Sequence, residues 1–162
     1  MGGIMKRLTL VLVLMSFVLG CAGAATQSEQ SSGSSTLKSK KIPHNFDDVW
    51  PAVLETLNNQ AWPIAVADKQ AGQISTEFVE VGFDEINEYG TCPMGFDSQI
   101  MRGRMKIDIT ITRQSLYEST MGIAVSIHGW DEGSAKMWKN CESQGKVEDI
   151  IYEGVNRRLS IR

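Results

Sequence analysis

The sequence has few of the residues that catalytic and metal sites require. It contains two histidines and three cysteines in 162 residues. His44 and His128 do not fall in a zinc-ligand pattern, and the cysteines lack the CxxC spacing of thiol oxidoreductases. A nucleophile elbow, a paired-carboxylate motif and an HExxH motif are also missing. We therefore predict a protein that is not an enzyme and that binds no metal or cofactor, with His128 a surface residue of a strand.

Blocks of basic residues and long apolar segments are missing too. The chain has 16 Lys and Arg against 19 Asp and Glu, and no basic cluster that favours nucleic acid as a partner. The apolar stretch over residues 8–19 has only 12 residues. As a helix it rises about 18 Å, which is too little to cross a hydrocarbon core of about 30 Å. A retained transmembrane helix is therefore not expected.

The N-terminus is organised as an export signal. Lys6 and Arg7 precede the apolar stretch, and Gly20 is the small residue expected before a cleavage site. The run Val18-Leu19-Gly20-Cys21 resembles the lipobox of bacterial lipoproteins, in which the cysteine after the cut receives a diacylglycerol and an N-acyl chain. This resemblance implies a lipoprotein signal peptide over residues 1–20 and lipidation at Cys21.

Two readings of the cleavage site remain open. Ala22-Gly23-Ala24 also fits the Ala-x-Ala pattern of an ordinary secretory signal, which would release an unlipidated periplasmic protein. If Cys21 is lipidated instead, the acyl chains anchor the protein stably. By resemblance to enterobacterial lipoproteins, Ala22 after the cysteine then favours the outer membrane of a diderm bacterium, with the domain facing the periplasm.

A tether separates the signal from the folded domain. Residues 22–40 are rich in Ser, Gly and Ala, and a chain of that composition spans roughly 25 Å as a flexible coil. Dense apolar periodicity begins at residue 42. The predicted organisation is therefore a signal over 1–20, Cys21 and a tether over 21–41, and a periplasmic domain over 42–162. A mature chain starting at Cys21 loses Lys6 and Arg7, which leaves 14 basic and 19 acidic residues.

Periodicity within the domain predicts an α+β fold. Apolar residues at helical spacing indicate helices near 47–60 and 145–160, whereas strict alternation over 104–111 and 121–127 indicates two long strands that pair antiparallel. Residues 64–67 and 73–81 are typical of a shorter hairpin, and residues 83–100 of a long loop. We predict a two-layer antiparallel sheet packed on an N-terminal and a C-terminal helix.

Cys92 and Cys141 would meet in an oxidising compartment. A structural disulfide is the favoured interpretation, and by the chain-entropy model it would stabilise the fold by about 4 kcal/mol. The alternatives are a redox pair or a metal site with the two histidines.

A short basic row follows one face of the first long strand. Arg102, Arg104 and Lys106 alternate with apolar residues, so they share the face opposite to the core. The side chains of such a row often contact only solvent, but the row is also a candidate for binding an acidic protein surface or a lipid head group. The acidic segment at residues 84–88 is an alternative partner within the chain.

Trp130 and Trp138 are further candidates for binding a partner. Tryptophan is enriched at interface hot spots, although packing of both residues into the core is the simpler alternative.

Two segments resemble BamC-like (NlpB-type) lipoprotein domains. Residues 46–54, 64–69 and 72–76 are similar to the helix, strand, turn and strand that open such domains, and residues 138–148 to the entry of their last helix. The resemblance implies a helix-grip domain, in which the sheet wraps the C-terminal helix, and a non-enzymatic accessory role near outer-membrane assembly. BamC has two such domains and this chain has one.

Sequence alone thus favours an outer-membrane lipoprotein whose domain binds a protein partner, in envelope assembly. The alternative is a periplasmic carrier that holds a lipid or another small apolar ligand between the sheet and the C-terminal helix.

The mass of the intact mature protein distinguishes the two cleavage sites. We expect the wild-type protein to have the mass of a chain that starts at Cys21 and carries acyl groups. The Cys21→Ala variant should lack the mass of these acyl groups. An unmodified chain that starts at residue 25 would contradict lipidation.

Overall fold

A long antiparallel hairpin forms the centre of the structure. The computed structural model describes residues 37–133 and 136–161, so the predicted signal peptide, Cys21 and most of the tether lie outside the described residues. The elements in the described ranges are, in chain order, β1 (Lys38–Ile42), α1 (Phe46–Asn59), β2 (Ile64–Asp68), β3 (Gln73–Thr76), β4 (Val79–Gly82), α2 (Phe83–Tyr89), β5 (Gly90–Thr91), β6 (Ile100–Arg113), β7 (Ser119–Asp131), β8 (Met137–Ser143) and α3 (Lys146–Leu159).

The alternation of side chains along β6 and β7 gives the sheet two different faces. The two strands pair along almost their whole length, and successive side chains point to opposite sides. The inner face carries buried aliphatic residues, namely Met105, Ile107, Ile109, Ile111, Met121, Ile123, Val125 and Ile127. The opposite side, which we call the outer face, carries the intervening residues and is open to solvent.

Shorter strands extend the hairpin on both sides. β3 and β4 pair with β6, and β2 pairs with β3. β1 and β8 pair with β7, and β5 pairs with β8. Each of these pairings is antiparallel, which confirms the predicted α+β class with an antiparallel sheet.

Helix α1 covers part of the inner face. Its apolar side contributes Val49, Val53 and Leu57, which are fully buried. Asn45 caps its start, since the Asn45 side chain accepts a hydrogen bond of 3.0 Å from the backbone N–H of Asp48.

Helix α3 is tied to the sheet by packing and by one tyrosine. Val147, Ile151 and Val155 are fully buried. The hydroxyl group of Tyr152 lies 2.9 Å from the carbonyl oxygen of Lys38 and 2.8 Å from that of Met121. Burial raises the pKa of Tyr152 to about 12, so the hydroxyl keeps its proton and serves as a donor to β1 and β7.

Within the described ranges, no helix has both the length and the apolar character to span a membrane.

Two glycines make room for α2 and a disulfide on the inner face. Gly103 and Gly129 pair across β6 and β7. A Cβ atom on Gly103 would lie 2.6 Å from Cδ1 of Ile86 in α2, and one on Gly129 would lie 3.0 Å from Sγ of Cys92. Cys92 is disulfide-bonded to Cys141 of β8, so this bond fastens the segment after β5 to the sheet.

The first strand begins before the predicted domain boundary. β1 starts at Lys38, within the segment 21–41 that the sequence assigned to the tether, and pairs with β7. Its first four residues are largely exposed Lys and Ser, so backbone hydrogen bonding holds the strand and no apolar pattern marks it. The ordered strand therefore begins four residues before the predicted boundary at residue 42.

Three other predicted segments differ from the structure. Helix α1 begins at Phe46, one residue before the predicted start at residue 47, and Pro51 lies in its second turn. The predicted strand 73–81 is interrupted after Thr76, so β3 and β4 are separate. The predicted loop 83–100 contains α2 and β5; α2 was missed because Ile86 is its only buried residue. Residues 137–143 form β8, which the sequence did not predict.

The crossing of α1 and α3 gives a stability prediction. A Cβ atom on Gly154 would lie 2.5 Å from Cγ2 of Thr56, so Gly154→Ala should lower the free energy of unfolding. Overpacking costs about 1–3 kcal/mol, which exceeds the gain of about 1 kcal/mol in helix propensity. Urea unfolding of the two proteins measures the difference.

Thr56→Ser is the matched background for this test. Serine lacks the obstructing methyl group but keeps a hydroxyl that can donate to the carbonyl oxygen of Ala52, as Thr56 does at 2.7 Å. In that background Gly154→Ala should be much less destabilising. Stabilisation by Gly154→Ala in the wild-type chain would contradict the close crossing.

Candidate functional site

The outer face brings the candidate partner-binding residues together. Arg102 lies opposite Trp130, which in turn lies opposite Trp138 on β8. Arg104 lies opposite His128 in the neighbouring row. Phe78, which lies between β3 and β4, adds an aromatic ring to these residues. Together they form one cluster, which we call the outer-face patch: Phe78, Arg102, Arg104, His128, Trp130 and Trp138.

Arg104 is the centre of this patch. Its guanidinium carbon lies 4.4 Å from the ring centroid of Phe78 and 4.5 Å from that of Trp138, so aromatic rings contact it from two sides. Its Nε donates a hydrogen bond of 3.3 Å to Nδ1 of His128. Cation–π contacts favour this placement of a guanidinium, and they fix its orientation.

The two tryptophans, Trp130 on β7 and Trp138 on β8, form one side of the patch. The ring centroids of Trp130 and Trp138 are 5.3 Å apart in an edge-to-face arrangement. Arg102 lies over Trp130, with 5.6 Å between its guanidinium carbon and the ring centroid. Both tryptophans are half-buried and lie on the outer face, so neither packs into the core between the sheet and the helices.

The members of the basic row differ in their charge partners. Lys106 lies 3.3 Å from Asp108, which also accepts a hydrogen bond from Ser75. Among the described residues, no carboxylate lies within 4.0 Å of Arg102 or Arg104. The acidic segment does not reach the row: Glu85 accepts from the backbone N–H of Gly82, and Glu88 pairs with Lys146.

His128 is neutral at physiological pH. Burial, and secondly the charge of Arg104, hold the pKa of His128 below its usual value. The unprotonated Nδ1 can therefore accept the hydrogen bond from Arg104. His128 also contacts Phe78, with the ring centroids 5.5 Å apart. His128 lies on the outer face but is half-buried, and the sequence did not predict its contact with Arg104.

A buried ion pair at the open end of the hairpin was missed by sequence reasoning. Lys139 lies 2.6 Å from Asp131, whose side chain is almost completely buried. Oδ1 of Asp131 also accepts from the backbone N–H groups of Gln99 and Gly133. Ser98 donates to Oδ2 of the same carboxylate. The cluster joins β7, β8 and the loop before β6, and its members are too far apart in sequence to form a motif.

Residues 143–148 form the turn from β8 into α3 and have a structural role. Gly145 has a positive φ of 89° and lets the chain turn from β8 into α3. Ser143 donates to the buried carboxylate of Glu148 at 2.9 Å and accepts from the N–H of Gly145 at 3.1 Å. The Ser, Gly and Glu of this segment therefore satisfy the polar groups of the turn.

The described pockets lie away from the interface between α3 and the sheet. One of about 640 Å³ lies beside the start of α1, where Asp47 pairs with Lys69 at 2.9 Å and with Arg113 at 3.3 Å. Lys69, and more weakly Arg113, lower the pKa of Asp47. A pocket of about 430 Å³ lies between the outer sides of α1 and α3, and one of about 250 Å³ borders Cys92. The described part of the chain has no group of three His, Cys, Asp or Glu residues placed to hold a metal ion.

Comparisons with known proteins find similarity among solved structures. No protein-family model matches the chain. No curated protein sequence matches it either. A crystal structure of a DUF4468 family protein from Bacteroides ovatus is similar, with 11% sequence identity, coverage of 80% of this chain and 82% of that chain, and a TM-score of 0.37. At this TM-score the similarity supports no functional assignment, and the BamC-like resemblance stays a prediction.

The buried ion pair predicts how stability depends on pH. Lys139, together with the N–H groups of Gln99 and Gly133, holds the pKa of Asp131 far below its usual value. A carboxylate with a lowered folded-state pKa adds stability above its unfolded pKa of about 4, and that stability is lost as the pH falls below this value. Asp131→Asn should therefore lower the melting temperature at pH 7, with a difference from wild type that shrinks below about pH 4.

Asp97→Asn is the matched control, since Asp97 is an exposed acid in the loop before β6, next to Ser98 and Gln99. Thermal unfolding of the three proteins from pH 3 to pH 7 provides the measurement. A difference between Asp131→Asn and wild type that stays constant over this range would refute the role of the ion pair.

Proposed function

We propose that this chain is an exported, non-enzymatic lipoprotein whose domain binds a protein partner through the outer-face patch. Cys21 would carry the acyl chains that anchor the protein in the outer membrane, and the domain would face the periplasm. The observation that supports the proposal is the gathering of two arginines and three large aromatic rings on one solvent-facing side of the sheet.

The composition of the patch suits a protein partner. Tryptophan and arginine are the residue types most enriched at interface hot spots, and clusters of them usually form the centre of an interface. Phe78 is 44% exposed although its ring contacts Arg104 and His128. A partner that covers the patch would remove this apolar area from water.

We also propose a helix-grip-like arrangement and a BamC-like accessory role in envelope assembly. The contacts of α3 support the first part, because its apolar side is fully buried and Tyr152 donates to carbonyl groups of β1 and β7. The lipobox and the segments similar to BamC-like domains support the second part.

A protein partner is favoured over a small apolar ligand. In the carrier alternative, the ligand would occupy the space between α3 and the sheet. The side chains of Val147, Ile151 and Val155 fill that space against the aliphatic residues of β6 and β7.

We assign a structural role to the cluster of Ser98, Lys139 and Asp131 at the open end of the hairpin. Lys139 donates to both Asp131 and Ser98, and Ser98 donates to Asp131, so the three side chains are engaged with one another. This cluster therefore joins the loop before β6 to β7 and β8.

Crosslinking in intact membranes tests the proposal. We expect tagged full-length protein to recover an envelope protein after chemical crosslinking, and Trp138→Ala to reduce the recovery at least about tenfold, as is usual for a hot-spot residue. Tyr117→Ala is the matched control, because Tyr117 is an exposed aromatic residue in the turn at the other end of the hairpin.

Cys21→Ala in the same experiment tests the anchor. Loss of both membrane association and partner recovery is the expected result for this variant. Equal recovery from wild type and Trp138→Ala would show that the outer-face patch is not the binding surface.

A further inference from the structure

The donors of Arg104 indicate what the partner must supply. A guanidinium group has five N–H donors, and the Nε donor of Arg104 is used on His128. Its terminal nitrogens have no carboxylate within 4.0 Å among the described residues. Glu80 is the cross-strand neighbour of Arg104 on β4, yet the two side chains form no ion pair at this distance.

The neighbours of Arg104 hold its free end in a fixed place. Phe78 and Trp138 contact the guanidinium from two sides, and His128 fixes the Nε end. Arg104 is half-buried, so part of its hydration is already lost. A guanidinium with a fixed orientation and two free terminal nitrogens matches the two oxygens of a carboxylate, with which arginine forms paired hydrogen bonds.

We propose that the partner docks an Asp or Glu side chain onto the terminal nitrogens of Arg104, with apolar groups beside it on Phe78 and Trp138. This inference deepens the proposed function and rests on it. Arg102 lies in the next row and adds positive charge without a described carboxylate partner, so an acidic segment of the partner gains from both arginines. Lys106 contributes less, because Asp108 already pairs with it.

A pair of small probes that differ only in charge tests the chemistry directly. N-acetylglutamate N-methylamide carries the carboxylate, and N-acetylglutamine N-methylamide is its neutral isostere. NMR spectra of purified full-length protein in detergent follow the Nε–H signal of Arg104 and the indole N–H signal of Trp138 during titration. We expect saturable shifts with the acidic probe and none with the neutral probe. Equal shifts with both probes, or none with the acidic probe up to its solubility limit, would overturn the proposal.

Two arginine variants make the test specific. Arg104→Lys keeps the charge but lacks the fork geometry, so it should abolish the saturable shift at Trp138. Arg113→Lys is the control, because Arg113 already pairs with Asp47 at 3.3 Å and lies outside the patch. Saturation that survives Arg104→Lys, or that is lost in Arg113→Lys, would contradict the assignment to Arg104.

Capture of the partner separates this inference from the function on which it rests. A photoreactive phenylalanine in place of Asn140, which lies opposite His128, reports binding at the patch in living cells. Capture by the otherwise wild-type chain that falls at least about tenfold in Arg104→Gln supports both proposals. If Arg104→Gln captures the partner as well as the wild-type chain does, the proposed carboxylate contact is wrong but the proposed function stands. If the wild-type chain captures no partner, the proposed function is wrong.

Discussion

The pairing of β6 with β7 decides which side chains can meet on each face of the sheet. Because side chains alternate, one register buries the whole aliphatic set and presents the intervening residues to solvent. A shift by one residue would exchange the faces and expose the isoleucines. The burial of Met105, Ile107 and Ile109 under the helices therefore also fixes the neighbours of Arg102 and Arg104 on the outer face.

The outer-face patch also depends on the two strands that flank the hairpin at its open end. β4 follows Phe78, and β8 carries Trp138, so Arg104 keeps its aromatic contacts only while both strands stay paired. A disulfide and an ion pair on the inner face hold β8 in place. The disulfide joins Cys141 to the segment after β5, and Lys139 pairs with Asp131 of β7. The residues that stabilise this end of the sheet thus orient the residues that we expect to bind.

Sequence reasoning was most successful where a pattern is local. The alternation along β6 and β7 predicted their pairing and put Arg102, Arg104 and Lys106 on one face, because side-chain direction in a strand follows from residue number. It failed where structure depends on distant partners. β1 and β8 have no apolar pattern, and pairing with β7 holds them. The roles of Phe78 and His128 arise from cross-strand contacts, which one sequence does not display. The contact of Lys139 with Asp131 joins β8 to β7 and has no sequence signal.

We expect the outer face to be exposed in the isolated protein and covered by a partner in the cell envelope. Oxidative footprinting with hydroxyl radicals tests it most directly, because the method reports the solvent exposure of tryptophan and phenylalanine side chains. Trp130, Trp138 and Phe78 should be oxidised readily in purified protein and protected in intact membranes. Trp62, which is only 6% exposed, should react slowly in both. Equal oxidation of the three patch residues in membranes and in purified protein would show that no partner covers the outer face.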